Sequence, residues 1–399
     1  MKEKKDKLYI AIDPGFAAYK IIINEKKITF SSKMLDVTNA TYGADRRPKG
    51  AYYVQIEEKK ADGKLAYYEY LIGDVCETSM SSADTVKKNK HLLEILQTLS
   101  KFSSEPFKIS LQGALAMALY IYQESKENTI GFTIEALNNG LYDVYIGMAL
   151  PHDYVGEYAS VKPHLACKHD FKLYVADENV AIPIEYDLSE AHYMVDSQVK
   201  CAFLYQFTDD EGNDVSDFME HLPCFVVDGG YHTFGMFYLT KDFTTPICES
   251  NLDFAMYTVD KNVAAEVSDK IQRINFTPMQ VKQFLNNKQP IKYGASRIES
   301  EELYQIYDRQ RRTVASTSIN TMEKIVELND CNCLLLTGGT GAAYFDVYKD
   351  YFKEHYGDNL VPILTDKPFK NEKIEPVYAV ALGLYKEVLN AVATAEEEA

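Results

Sequence analysis

Tryptophan is absent from this 399-residue chain, and basic residues are in deficit: 42 Lys and Arg face 59 Asp and Glu, for a formal charge of −17. Direct, non-specific attachment to DNA or to an anionic membrane needs basic surface, so the charge argues against both. No apolar run approaches the roughly 20 residues that span a bilayer. Met1 to Lys7 is charged and leads straight into strand-like sequence, so no signal peptide is expected. Cysteine is sparse: 7 residues, an odd number without paired metal-ligand spacing. Even Cys331 and Cys333, two apart before an apolar run, read as buried reduced thiols. A reducing, cytoplasmic setting follows. His152, His164 and His169 fit no metal spacing and read as surface or satisfied histidines. No Ser-His-Asp or Cys-His triad can be argued from spacing. The missing Trp and the abundance of Lys, Ile, Asn and Tyr suggest an AT-rich bacterial genome and say nothing of activity. The 46% hydrophobic and 25% charged fractions are those of a soluble globular protein, long enough for two domains or one bilobed one.

Against these absences stands one internal repeat. Asp13-Pro14-Gly15-Phe16-Ala17-Ala18-Tyr19-Lys20 and Asp228-Gly229-Gly230-Tyr231-His232-Thr233-Phe234-Gly235 share a design. Each follows a β-branched run, opens with Asp, has Gly two residues on and aromatics three and six residues on, and leads into a second strand. Glycine lets a backbone approach closely, and the N–H groups of such a turn form an anion-binding nest. The Asp cannot face a bare phosphate, but it can hold Mg²⁺ or a water on it. Lys20 could reach a phosphate as a point charge. A third glycine turn, Gly338-Gly339-Thr340-Gly341, follows the apolar Leu334 to Leu336 and opens a helix, a shape for packing on a nucleoside and offering helix N–H groups to a phosphate.

Periodicity predicts strands through 8–30, at 52–57, 65–72, 141–150 and 171–188, and at 333–337. Helices are predicted at 88–100, 111–124, 190–206, 255–272, 278–286, 300–328, 342–355 and 376–393. Residues 31–90 read as a small polar subdomain. Glu396 to Glu398 read as a solvated tail. Arg309, Arg311 and Arg312, on a helix rich in Glu, are expected to form intrahelical pairs rather than a basic patch.

The order of the three turns resembles the actin, heat-shock-chaperone and sugar-kinase ATPase superfamily: Asp13 to Lys20 looks like its first phosphate motif, Asp228 to Gly235 its second, Leu335 to Tyr344 its adenosine motif. Residues 111–122 and Tyr378 to Leu389 resemble its two connecting helices. Within it the chain is most similar to ParM-type actins of bacterial plasmid segregation, through Asp143 to Tyr158 and Val180 to Tyr193. The resemblance implies an α/β, actin-like fold of two lobes, each a mixed sheet flanked by helices, with nucleotide in the cleft between them. Domain I would span 1–207 with an insert at about 31–90, domain II 208–375, and 376–399 would return to domain I. It implies ATP, with GTP the alternative, and Mg²⁺. It also implies self-assembly into filaments and a DNA-binding adaptor protein.

On the same resemblance, Asp13 and Asp228 would hold hydrated Mg²⁺, with Asp228 counted as catalytic. Glu190 would orient the attacking water, with Glu185 and then Gln112 as fallbacks. Lys20 and the N–H groups of Gly15, Phe16, Gly229, Gly230 and Tyr231 would grip phosphates, with Thr233 retained from the motif. Gly338, Gly339 and Thr340 would contact nucleoside and α-phosphate, and Glu266, Lys270 and Arg273 lie on the helix that lines the base. The chain departs from the family at Pro14, which offers no N–H, at Phe16 and Tyr231, where small or hydroxyl residues are usual, and at Gly235, where a second Asp is common. A non-polymerising scaffold and a small-molecule kinase are the competing readings.

Overall fold

A computed structural model describes residues 5–15, 17–38, 47–59, 63–76, 92–93, 101–152, 154, 158–188, 192–272 and 274–397. The chain divides into two compact units, Met1–Cys201 with Val380–Ala399, and Ala202–Ala379.

The first unit is built on a five-stranded sheet, ordered β11-β8-β1-β2-β3. Its strands are β1 (Asp6–Pro14), β2 (Ala18–Ile23), β3 (Lys26–Ser31), β8 (Tyr142–Leu150) and β11 (Tyr193–Ser197). β1, β2 and β3 run antiparallel as a meander, and β8 and β11 add in parallel to β1. Ile10, Ile12, Ile21, Ile22 and Ile23 are all buried. Such unbroken β-branched runs suit strands covered on both faces. Pro151 ends β8, because it has no N–H to extend the ladder.

A six-stranded sheet, β10-β9-β5-β6-β4-β7, makes up the rest of this unit's β-structure. Its strands are β4 (Met34–Asp36), β5 (Tyr52–Lys59), β6 (Leu65–Ile72), β7 (Leu92–Leu93), β9 (Lys168–Val175) and β10 (Val180–Asp187). Helix α1 (Glu105–Gln123) begins where Ser104 accepts a hydrogen bond from Phe107 N–H, a capping arrangement that satisfies an orphan donor. Helices α2 (Ile134–Asn138), α3 (Tyr158–Leu165), α4 (Gln198–Phe207) and α9 (Ala379–Glu397) complete the unit, α4 continuing past its boundary. α9 lies directly on β8: a Cβ at Gly147 would come within 2.7 Å of Val388 and 2.9 Å of Leu384.

The second unit repeats the core of the first. Its five-stranded sheet runs β14-β13-β12-β17-β18. The strands are β12 (Cys224–Gly229), β13 (Phe234–Leu239), β14 (Ile247–Ser250), β17 (Cys333–Thr337) and β18 (Pro362–Leu364). β12, β13 and β14 form the antiparallel meander, and β17 and β18 add in parallel. Strand for strand this is the topology of β3-β2-β1-β8-β11. Helices α5 (Met256–Ile271), α6 (Pro278–Asn286), α7 (Ser300–Ile325) and α8 (Gly338–His355) and the hairpin β15 (Ile291–Tyr293) with β16 (Ser296–Ile298) fill out the unit. Val259, Val263 and Val267 of α5 join Leu303 and Ile306 of α7 in one buried cluster.

Three local expectations need correction. Leu92–Leu93 is a strand paired with β4, not helix; the rest of 88–100 lies outside the described residues. The free edge of β4 offers backbone partners that outweigh the helical propensity of Leu. Residues 193–197 form β11, and the helix starts only at Gln198. A parallel place beside β8 claims Tyr193 and Val195, residues well suited to a strand. Glu396 is solvent-exposed as expected, but it belongs to α9 rather than to a tail and lies 2.6 Å from Lys7 Nζ.

Candidate functional site

The parallel strands β1, β8 and β11 finish level with one another: Ile12 pairs with Met148, which pairs with Val195. Asp13 therefore stands at the carboxyl edge of the sheet, where open α/β sheets carry their ligands. Asp13 is 3% exposed. Its Oδ2 lies 2.9 Å from Lys20 Nζ, directly across the hairpin in the β1–β2 register. Its Oδ1 accepts a 2.7 Å hydrogen bond from Gln198 Nε2 at the start of α4. At the turn, Gly15 N–H donates to Asp13 O at 2.9 Å, and a Cβ on Gly15 would sit 2.6 Å from both Ala18 O and Lys20 Nζ. The residue must be glycine because the chain doubles back on itself there.

The second hairpin reaches the same edge of its sheet, with Asp228 between Gly235 on β13 and Thr337 on β17. Its turn closes through Gly230 N–H to Thr233 O at 2.8 Å. Here backbone meets backbone. A Cβ on Gly229 would lie 2.6 Å from Gly341 N, and one on Gly338, at φ +74°, 2.4 Å from Gly229 O. Thr340 Oγ1 donates to Gly230 O at 2.6 Å. Gly338, Gly339 and Thr340 are thus brought against Gly229 and Gly230, joining two sequence motifs about 110 residues apart. Gly339 packs against Val377.

Two departures acquire physical reasons. Tyr231 donates its hydroxyl to Asp260 Oδ2 at 2.9 Å, its ring lies 4.1 Å from Lys282 Nζ, and its carbonyl accepts from Tyr257 N–H at 2.8 Å. A small residue there would forfeit the anchor that ties the turn to α5. At Gly235 an added Cβ would be 2.3 Å from the Phe237 ring, so an Asp there would require that buried ring to move.

Other expected residues are placed differently from the hairpins. Glu266 pairs with Arg309 and, at 3.1 Å, accepts from Gln310 Nε2, while Lys270 lies 2.6 Å from Glu302. Both therefore face α7. Glu266 is held below the ordinary carboxylate range, chiefly by its hydrogen bond to Arg309. Arg311 and Arg312 pair within the helix with Asp308, as expected, and also with Asp346 of α8. Glu185 is an exposed residue of β10, opposite Asp170 in the six-stranded sheet. Gln112 is buried in α1, with Oε1 unpartnered among the described residues. Phe16, Glu190 and Arg273 lie outside the described residues. His169 is buried against Tyr186, with Nε2 2.9 Å from Leu165 O. The cysteines are free thiols.

The sequence reading missed Gln198 and Asp260. Asp260 sits in the apolar stripe of α5 beside Val259, Val263 and Ala264, and burial raises its pKa against the opposing pull of Tyr231 and Lys282. A carboxylate inside such a stripe is a legible signal. Gln198 had none, since it depended on where β11 ended. Beside it, Lys200 bridges Asp196 at 2.6 Å and Glu387 of α9 at 2.5 Å. Burial and the neighbouring Asp196 push Glu387 up to about 7, against the pull of Lys200.

The donor set suits magnesium-bound phosphate. Mg²⁺ keeps most of its waters and takes one or two carboxylates plus phosphate oxygens rather than a protein cage. Asp13, a buried strand-end carboxylate beside a tight glycine turn, is a donor of that kind. No described helix is long and apolar enough to cross a membrane.

No protein-family model matches the chain, and no curated protein matches it. Solved structures do. The actin-like protein Alp7A is 11% identical with a TM-score of 0.68, over 98% of this chain and 97% of that one. A 15-stranded ParM filament from Clostridium botulinum is 16% identical, TM-score 0.60, over 96% and 99%. Bacillus thuringiensis ParM with ATP is 12% identical, TM-score 0.60, over 99% and 100%. At these identities the likeness establishes the fold: it is actin-like, of the kind seen in ParM proteins.

Proposed function

We propose that this chain is a ParM-like ATPase that polymerises with bound Mg-ATP and moves plasmid DNA through a DNA-binding adaptor. The observation that carries the reading is the duplicated sheet with an Asp-bearing glycine hairpin at the same edge of each copy. Two neighbours support it by analogy, one solved with ATP and one as a filament. The charge of −17 argues against direct nucleic-acid contact and so for an adaptor.

In this reading Mg²⁺, when bound, would supply charge neutralisation for phosphoryl transfer. Asp13 and Asp228 hold its hydration shell. Lys20 offers a phosphate a point charge. Gly229 and Tyr231 present backbone donors, and Gly338, Gly339 and Thr340 face the nucleoside and α-phosphate. Gly15 and Gly230 can donate to phosphate only after their N–H groups leave Asp13 O and Thr233 O. Glu190 orients water. The protein's part in phosphoryl transfer is positioning and charge neutralisation.

Light scattering and phosphate release on adding Mg-ATP test the reading. Scattering should rise above a critical concentration, and Asp228→Ala should lower turnover by about a hundredfold or more. Nucleotide binding without scattering favours the scaffold. Phosphorylation of a small molecule favours the kinase. No uptake of Mg-nucleotide sinks all three.

A further inference from the structure

The two hairpins are not equally supplied with positive charge. In the first, the residue opposite Asp13 across the ladder is Lys20, whose Nζ lies 2.9 Å from the carboxylate. In the second, the residue opposite Asp228 is Gly235, so the ladder itself offers no cation there. A cation does reach this turn from α6. Lys282 Nζ lies 4.1 Å from the centre of the Tyr231 ring and 4.0 Å from Asp260 Oδ2. Tyr231 belongs to the tip of the turn, which Gly230 N–H closes onto Thr233 O. The root of the lysine is fixed. α6 opens with reciprocal hydrogen bonds between Thr277 and Gln280, and Val281, beside Lys282, is fully buried. Its end is held loosely. The side chain is 45% exposed, and 4.0 Å is too long for a hydrogen bond to Asp260. Asp260 already accepts the Tyr231 hydroxyl at 2.9 Å. A lysine carries its charge and three donors on a flexible stem, so this one can rest on the ring and still be drawn to a stronger anion.

We propose that Lys282 is the phosphate-binding cation of the second hairpin: it leaves the Tyr231 ring to contact the phosphate gripped by the backbone donors of that turn. This rests on the nucleotide reading above and adds to it a residue that neither glycine motif contains. Tyr231 then has a second reason for its size. Besides reaching Asp260, its ring is the platform that keeps the lysine beside the turn, and a small residue would leave the arm unheld. The bland alternative is that Lys282 serves only to offset the buried charge of Asp260. The two differ in one respect: an Asn at 260 would make an offsetting lysine dispensable and would leave a phosphate-binding one as important as before.

Calorimetry with Mg-ATP at low and high salt tests this on the full chain as wild type, Lys282→Met, Asp260→Asn and the double variant. Lys282→Met keeps an apolar stem over the ring and drops the charge. Loss of one charge-assisted contact should weaken Mg-ATP binding about tenfold at low salt. The gap should narrow at high salt, where screening weakens the contact in wild type. The double variant should bind as weakly as Lys282→Met. Unchanged Mg-ATP affinity in Lys282→Met overturns the proposal. So does a loss that is the same at both salt concentrations, or restored affinity in the double variant, which would make Lys282 a partner of Asp260 and nothing more. If Lys282→Met unfolds, the double variant is compared with Asp260→Asn under the same criteria, since neither then carries the buried charge. A wild type that takes up no Mg-ATP overturns the proposed function, and this inference with it; a wild type that binds while Lys282→Met matches it overturns this inference alone.

Discussion

The Asp13 and Asp228 hairpins occupy equivalent places in two sheets of the same topology, yet they are held by different means. The first is held by charge: Asp13 is clasped by Lys20 and Gln198, and its described turn residues touch mainly their own hairpin. The second is held by fit: Gly229, Gly338 and Gly341 let β12 and the start of α8 approach backbone to backbone, and Tyr231 reaches out to Asp260. Duplicated topology therefore conserves where an acid stands, not how it is supported. A hairpin held by polar partners should respond to loss of charge, and one held by fit to added volume.

The largest effect should come from volume. Gly338→Ala imposes a left-handed conformation and drives a methyl into Gly229 O, for a loss of about 2–4 kcal/mol in denaturant unfolding. Gly63→Ala, at φ +81° but with nothing within 4 Å, should lose only about 1 kcal/mol. Equal losses would show that close approach does not hold the second hairpin.

Next comes charge. Lys20→Met leaves the buried Asp13 with the Gln198 amide as its side-chain partner, for an expected loss of about 2–3 kcal/mol, less than for a fully buried pair. Tyr231→Phe leaves Asp260 facing Lys282 and should lose about 1–2 kcal/mol. If Tyr231→Phe proves the worse of the two, the contrast is inverted.

The smallest effect concerns pH and falls within the first unit, which holds both titrating groups. Burial depresses the pKa of His169 below its ordinary 6.5, so the folded first unit keeps it neutral while the unfolded chain takes up a proton. Its contribution is complete above 6.5 and is lost as pH falls below that value, by at most about 1.4 kcal/mol per pH unit. Glu387, raised to about 7, acts in the opposite sense: its stabilisation is full below 4.5 and fades as pH rises through about 7. Thermal midpoints of wild type and His169→Gln should agree at pH 7.5 and diverge below 6.5. Parallel curves would show that His169 does not set the acid limb.

Much of this was legible beforehand because it is written in short-range pattern. A β-branched run ending in Asp, then Gly two residues on, marks a strand edge and a tight turn wherever it occurs, and two copies marked the repeat. The amphipathic periods of α5 and α7 were readable for the same local reason. The start of β11 was not, because the strand exists only if β8 offers it an edge. Gln198 and Lys200 inherited that uncertainty. Glu266 and Lys270 looked available for a ligand on a helix drawn alone, and α7 claimed both. The N–H groups of Gly15 and Gly230 looked free in a string of letters, and the turns use them internally.

The order of residues along the chain was by itself sufficient to set the hairpins, their acids and Lys20, since a strand pairing with its immediate neighbour costs little loop entropy and follows from local registry. Only the tertiary structure decided which distant groups reach those hairpins: Gln198 at Asp13, Thr340 at Gly230 and Asp260 at Tyr231. These contacts join segments separated by 29 to 185 residues. Nothing local encodes such meetings, because they depend on the stacking order of whole strands and helices.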